Sequence, residues 1–370
     1  MPNYRALAVG VSLMALVVSG CGGAAQPSPA AQKTEPKPTT AASPAAASPA
    51  ASPAASPAAS PAASPVVAAS PAASPVAASP VASPAASPVA AAPGGAKPPV
   101  RMGSTNFPEQ TILAEMYGQA LEANGYRVER RLNLGNREIV APALESGEID
   151  VYPEYLATYL AFQTRGVQLG SGDATATRRL LQEALTPKNI TVLEHAPAID
   201  TNGFVVTRAT AQRYNLSKMS DLAPIANQLV LGAPPECPER PFCIPGLRDT
   251  YGITFKDFRA LDAGGPLTVA ALEGNQIDIG LLFTTDAVIA QRGYVLLADD
   301  KGLQRADNVA PVVRNDLLGR APADFTTTLN GVSARITTEE LTELNKQVGI
   351  DRQEPRDVAG AWLREKGLVR

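Results

Sequence analysis

Histidine is almost missing from this sequence: there is one in 370 residues, beside one tryptophan and three cysteines. A histidine-rich metal site therefore cannot be assembled, and any Ser-His or Cys-His nucleophile would have to use His195. His195 precedes a proline-containing linker and is expected to have no chemical role. No serine-centred G-x-S-x-G pattern occurs. A basic excess is missing too. From Pro99 onward 28 basic side chains face 34 acidic ones with no basic stripe, which argues against nucleic acid and against an electrostatic membrane surface. Gly264-Gly265-Pro266 reads as a turn, and no phosphate-cradling glycine pattern follows a strand. The paired acids Asp299-Asp300 read as a turn or an electrostatic cap. The chain is expected to carry no cofactor, no metal and no enzymatic activity.

Aromatic residues make up 5% of the sequence. None lies between residues 22 and 98, where 17 of the 34 prolines fall and only Lys33, Glu35, Lys37 and Lys97 are charged. Such a stretch cannot bury enough apolar surface to offset the entropy of ordering it. Its Ala-Ser-Pro-Ala repeats read as an extended, solvated tether, with a reach on the order of 200 Å. Ahead of it, residues 1–20 combine a short positive start with an apolar run from Ala6 to Val18. That run is too short to span a bilayer and reads as a signal peptide. Val18-Ser19-Gly20-Cys21 resembles the lipobox of bacterial lipoproteins, which implies that Cys21 becomes a lipidated N-terminus. Residues 21–98 are then a lipidated, disordered linker. The folded part is expected outside the cytoplasm, meeting the membrane through its lipid anchor alone.

What remains from Pro99 is enough for one large domain or two lobes with cores of their own. Val100 to Ser104 reads as a strand, and Thr105-Asn106-Phe107-Pro108 as a helix start. Ile112, Leu113, Met116, Ala120 and Leu121 then share one helical face until Asn124-Gly125. Tyr126 to Leu134 reads as a strand, Arg137 to Ser146 as a helix and Ile149 to Tyr152 as a strand, so the class is α/β. Asn106 either caps its helix or, with the N-H groups there, offers a corner for an anion. Tyr152 alternates with core residues and reads as structural. Cys237 and Cys243 enclose Pro238 to Phe242. In an exported chain such a pair is most simply a disulfide. A zinc site would lack a second ligand pair, and a redox pair is more often C-x-x-C.

One stretch is echoed. Ala143-Leu144-Glu145-Ser146-Gly147-Glu148-Ile149-Asp150-Val151 is answered by Ala271-Leu272-Glu273-Gly274-Asn275-Gln276-Ile277-Asp278-Ile279. Five residues beyond each aspartate stands an aromatic, Tyr155 and Phe283, and three further on a polar residue, Thr158 and Asp286. Two similar α/β lobes would each bring an aromatic and a polar group to the carboxyl end of a strand, where open α/β sheets bind ligands.

At these residues the chain resembles the substrate-binding proteins of ABC importers for osmoprotectants such as glycine betaine, choline and carnitine. The match is carried by Gly103 to Gln110, Ala143 to Tyr155, Ser220-Asp221-Leu222, Pro245-Gly246-Leu247, Thr285-Asp286 and Asp299-Asp300-Lys301, and it spans Pro99 to Arg314. The resemblance implies a type II periplasmic-binding-protein fold: residues 99–204 with 310–370 as lobe 1, residues 205–309 as lobe 2, and a central cleft. Crossovers are expected near Asn202 to Val206 and Asn308 to Val313, with the C-terminal helices and Trp362 packed on lobe 1. It implies as partners a small solute and the permease subunits of an ABC importer. The alternative is a ligand sensor or surface-interaction lipoprotein on the same fold.

A quaternary ammonium has no N-H to donate, so it is held by shape and by the negative faces of aromatic rings. A carboxylate is held by a guanidinium and hydroxyl donors. By resemblance, Tyr155 matches a cage tyrosine, Thr158 the threonine donor and Arg240 the arginine. Phe283 keeps a ring where many relatives have tyrosine, while Asn202 and Val269 bring none and Thr105 replaces a basic residue. Asn106, Phe107 and Thr284 complete the expected binding set. Asp200, Asn202 and Asp286 are expected to hydrogen-bond a ligand that bears N-H donors, or to meet an additional cation.

Overall fold

The computed structural model describes residues 97–370; the leader, Cys21 and the tether up to residue 96 lie outside the described residues. The strands are β1 (Val100–Gly103), β2 (Val128–Arg131), β3 (Val151–Tyr155), β4 (Ile190–Val192), β5 (Asn202–Val206), β6 (Val230–Ala233), β7 (Asp257–Ala260), β8 (Ile279–Phe283), β9 (Val295–Leu296) and β10 (Val309–Arg314). The helices are α1 (Pro108–Ala123), α2 (Arg137–Ser146), α3 (Leu156–Gln163), α4 (Ala174–Leu185), α5 (Arg208–Tyr214), α6 (Ile244–Tyr251), α7 (Pro266–Glu273), α8 (Val288–Gln291), α9 (Asn315–Leu318), α10 (Asp324–Ser333), α11 (Thr338–Gly349) and α12 (Pro355–Glu365).

The strands form two sheets of five, in the orders β2-β1-β3-β10-β4 and β7-β6-β8-β5-β9. Position by position the orders correspond. In each sheet the strand of the echoed segment, β3 or β8, lies between a parallel neighbour and an antiparallel crossover strand, β10 or β5.

The echo has a physical basis. Asp150 N donates to Arg101 O, and its carboxylate accepts from Arg101 N at 2.9 Å. Asp278 N donates to Val230 O, and its carboxylate accepts from Val230 N at 2.8 Å. Each aspartate thus pins the start of β3 or β8 to its parallel neighbour. The isoleucine just before it fills the space over a glycine: a Cβ on Gly103 would lie 2.4 Å from Ile149 Cδ1, and one on Gly232 would lie 2.5 Å from Ile277 Cδ1. Close approach disfavours any larger residue at both places, although the atoms struck are the ends of side chains.

Local signals set the elements. Pro108 opens α1 without needing an N-H, and Gly125 ends that turn at φ 82. Gly147, at φ 83, closes α2. Two strands differ from expectation. β2 is shorter than Tyr126 to Leu134, because Asn133 and Gly135 take positive φ and turn the chain toward α2. β3 begins and ends later than Ile149 to Tyr152, because Asp150 is occupied as the pin and the ladder continues through Pro153. That proline faces Pro311 of β10, a pair in which neither nitrogen has a proton to donate.

Both faces of the first sheet are covered. Trp362, Leu363 and Val358 of α12 share a core with Ile112, Met116 and Tyr117 of α1. The opposite face holds Tyr152, Leu156, Tyr159 and Leu160 with Leu144 and Leu181. The chain enters the second sheet at Asn202 and returns to the first at Val309. The two linkers touch, with Ile199 bridged antiparallel to Asn308 and Asp200 N donating to Asp307 O at 3.2 Å. Among the described residues no helix is long and apolar enough to cross a membrane.

Candidate ligand cleft

Between the sheets lies a cavity of about 110 Å³, and its wall takes residues from both lobes and both linkers. The carboxyl ends of β3 and β8 deliver Tyr155 and Phe283 to it, and the turn before α1 delivers Phe107. Phe107 stacks on Tyr155 with centroids 6.2 Å apart and tilts against Phe283 at 4.9 Å. Phe162 and Phe242 add two further rings to the wall.

Behind these rings the chemistry is acidic. The Tyr155 hydroxyl donates to Glu109 at 2.6 Å, and Glu109 also accepts from the Thr285 hydroxyl and the Asn345 amide, each at 2.6 Å. Asp200, on the first linker, accepts from the Thr284 hydroxyl at 3.1 Å and from Thr285 N at 3.2 Å, both on Oδ1. Burial pushes the Glu109 carboxyl up against the pull of its three donors. Burial, then the Glu109 and Asp286 charges, raise Asp200 well above the usual carboxylate range.

Guanidinium groups stand elsewhere on the wall. Arg137, the first residue of α2, is bidentate to Glu154, with Nε 2.5 Å from Oε1 and Nη2 2.8 Å from Oε2. Its side chain is 11% exposed and that of Glu154 2%, so this pair is buried. Nη2 also donates to the Thr158 hydroxyl at 2.9 Å. Asp307, on the return linker, accepts from the N-H groups of Ala157 and Thr158 at the start of α3. Burial pushes Asp307 up to about 7, although Arg137 and these donors oppose the rise. Arg240 reaches across from lobe 2 to Glu138 of α2, with Nη2 2.9 Å from Oε2, and lies 5.9 Å over the Phe162 ring. Burial, then the neighbouring Arg137 charge, lowers its pKa. A disulfide joins Cys237 to Cys243 and closes the loop that carries Arg240.

Of the residues expected from sequence, Asn106, Phe107, Tyr155, Thr158, Asp200, Asn202, Arg240 and Phe283 line this one cavity. Thr284 and Asp286 do not. The Thr284 hydroxyl accepts from Thr201 N and donates to Asp200, tying the end of β8 to the linker. Asp286 accepts from Phe283 N at 2.7 Å and so fixes the backbone of that ring. Asn106 is exposed and is not the helix cap; Phe107 holds that position, and Asn106 N donates to Gly135 O. Asn202 turns its amide to Phe242 O at 3.0 Å. The Thr158 hydroxyl sits between Arg137 and Asp307, so it braces Arg137. Val269 packs on the lobe 2 core. Tyr152 is buried, with its hydroxyl on Glu154, and His195 sits outside the cavity with Nδ1 3.0 Å from Ala196 O.

Several wall residues had no place in the expected set, among them Arg137, Gln110, Thr105, Phe162, Phe242 and Asp307. Arg137 carried a signal, since a cation at the N-terminal end of a helix opposes the helix dipole and needs a special partner. Gln110 and Thr105 are both buried in the wall, and neither Gln110 Nε2 nor Thr105 Oγ1 has a protein partner. Nothing in the sequence pattern of Gln110 separates it from core residues, and Thr105 stood out solely through the resemblance, as the replacement of a basic residue.

Two α/β lobes of matching strand order, joined by two linkers and closed over one cavity, define a solute-binding protein with the type II periplasmic-binding-protein fold. A profile of the substrate-binding domain of ABC-type glycine betaine transport systems matches residues 98–365, and the chain belongs to that family. It is 29% identical to a glycine-betaine-binding protein of Pseudomonas aeruginosa, over 73% of this chain and 88% of that one. It is 28% identical to the glycine betaine-binding protein YehZ of Escherichia coli, over 74% of this chain and 93% of the relative. A crystal structure described as a glycine betaine/carnitine/choline ABC transporter superposes with a TM-score of 0.59 at 26% identity, covering 73% of this chain and 99% of that one.

Proposed function

We propose that this protein captures a small quaternary-amine solute of the glycine betaine, choline or carnitine type and delivers it to the permease of an ABC importer, held at the membrane by a lipid on Cys21. In this reading the lobes expected from sequence, residues 99–204 with 310–370 and residues 205–309, close on the solute by rotation at the paired linkers, with β5 from Asn202 belonging to the second sheet and β10 from Val309 to the first. The observation that carries this reading is the polarity of the cavity. Rings backed by carboxylates occupy one part of its wall, and two guanidinium groups another. The cationic head meets Tyr155, Phe107 and Phe283. A carboxylate tail, where the solute has one, meets Arg240 and Arg137, with Gln110 Nε2 as a neutral donor.

Calorimetric titration with glycine betaine, carnitine and choline tests it. At least one of the three is expected to bind with one-to-one stoichiometry. Arg240→Ala is expected to weaken glycine betaine and carnitine more than choline, and Tyr155→Ala to weaken all three. Failure of all three solutes to bind the unaltered protein would sink the reading. The anchor is tested separately: Cys21→Ser is expected to abolish fatty-acid labelling and release the protein from membranes.

A further inference from the structure

The charges around the cleft do not balance. Glu109 and Asp200 are buried and Asp286 is half-buried, and together they form an acidic group behind Tyr155 and Phe283. Glu109 meets the Tyr155 and Thr285 hydroxyls and the Asn345 amide. Asp200 meets the Thr284 hydroxyl and Thr285 N, with Glu109 and Asp286 as its charged neighbours. Asp286 meets Phe283 N, with Glu109 and Asp262 as its charged neighbours. Among the described residues no lysine, arginine or histidine is bonded to any of the three. A buried carboxylate left without a counter-ion is costly, and it is relieved either by a cation or by a proton. Asp200 is the member that lines the cavity, and it turns only one oxygen, Oδ1, to protein donors. Gln110, 1% exposed on the same wall, leaves its Nε2 donor without a protein partner, which marks the wall as one completed by an oxygen of the solute, its carboxylate or hydroxyl, while the ammonium falls to the acids.

We propose that the solute's ammonium is the missing counter-ion of the Glu109-Asp200-Asp286 group, with Asp200 the carboxylate it meets. This rests on reading the cavity as an ammonium site. The site then selects its solute by net charge at this end as well as by ring faces, because Coulomb attraction needs no N-H from the cation.

A consequence separates this arrangement from an aromatic cage alone. In the empty protein the acids hold part of their charge as bound protons: withdrawal from water raises Asp286 to about 7, and Asp200 is raised well above its usual range. A cation arriving beside them lowers these values, so binding releases protons, and affinity falls as pH drops through the range where the acids take protons up. Choline has no titratable group near neutral pH, so any proton released on its binding comes from the protein.

The experiment is titration of the full chain with choline and with glycine betaine near pH 7 in buffers of different ionisation enthalpy. The expected result is a buffer-dependent enthalpy corresponding to release of up to about one proton per solute. Asp200→Asn, which keeps size and hydrogen bonding, is expected to lose most of that release and at least about tenfold in choline affinity, while the ligand-free variant melts no lower than its parent. Binding with a buffer-independent enthalpy overturns the proposal on the unaltered protein alone, whatever the variant does. Choline affinity within twofold of the parent in Asp200→Asn also overturns it. Either result leaves the ammonium reading standing, whereas no binding of either solute removes that reading first.

Discussion

The two halves of the folded chain share a frame and differ at its working end. In each, an aspartate pins a strand to its parallel neighbour, an isoleucine covers a glycine, and an aromatic closes the strand at the cleft. Beyond that point they diverge. Tyr155 has a hydroxyl and gives it to Glu109; Phe283 has none, and is fixed through its backbone by Asp286. α2 starts with Arg137, whereas α7 starts with Pro266. Lobe 2 adds the disulfide loop with Arg240 ahead of α6. Packing constrains the frame similarly in both lobes, with Leu261 an added neighbour at Gly232, and ligand chemistry acts on the few positions that face the gap.

The largest contrast is between the two arginines. Arg137→Ala strands the Glu154 carboxylate, 2% exposed, with no cation, a loss of about 3–5 kcal/mol for a broken buried pair. Arg240→Ala frees Glu138, which is 39% exposed and can be solvated, for a loss of about 1 kcal/mol or less. Urea denaturation of the two variants without ligand checks this. Equal losses would mean that the Arg240 bridge across the cleft is as structural as the Arg137 pair inside it.

The aromatic ends come next. Removing the ring by Tyr155→Ala or Phe283→Ala is expected to weaken choline by about 2 kcal/mol, near 30-fold, if each face contacts the cation. Tyr155→Phe keeps the ring and removes one donor from Glu109, so a loss of about threefold to tenfold is expected. Melting temperatures measured beside the titrations separate lost contact from lost packing. A Tyr155→Phe variant as weak as Tyr155→Ala would show that the hydroxyl, not the ring, is what lobe 1 contributes.

Much of the frame was legible in sequence because it rests on local signals and on a repeat. Pro108, Gly125 and Gly147 mark helix ends by backbone chemistry alone, and the echo of nine residues marks where β3 and β8 begin. Tyr155, Phe283 and Arg240 do meet at one cavity. What was not legible depends on contacts distant in the chain. Asp286 and Thr284 stand next to Phe283, yet they face backbone and linker. Glu109 is bonded to Thr285 and Asn345, residues 176 and 236 positions away. Arg137 belongs to the wall because Glu154 lies opposite it, which helix periodicity alone does not reveal.

The shared frame itself is tested at its two glycines, where the smallest expected effect is the partial recovery by a second substitution. A methyl added at Gly103 would press on Ile149 Cδ1 and, at 3.2 Å, on its Cγ2; one added at Gly232 would press on Ile277 Cδ1, on Leu261 Cδ1 at 2.7 Å and, at 3.1 Å, on Ile277 Cγ2. Neither glycine has positive φ, so the cost is packing rather than backbone strain. Gly103→Ala and Gly232→Ala are each expected to lose about 1–3 kcal/mol, the range for overpacking a filled core. Ile149→Val and Ile277→Val shorten the side chain that would be struck, so each should recover part of the loss in its own lobe and none in the other, with less recovered at Gly232, where Leu261 is struck as well. No recovery at Gly103, where Ile149 supplies all three of the nearest atoms, would mean that the duplicated frame is a likeness of topology without a likeness of packing.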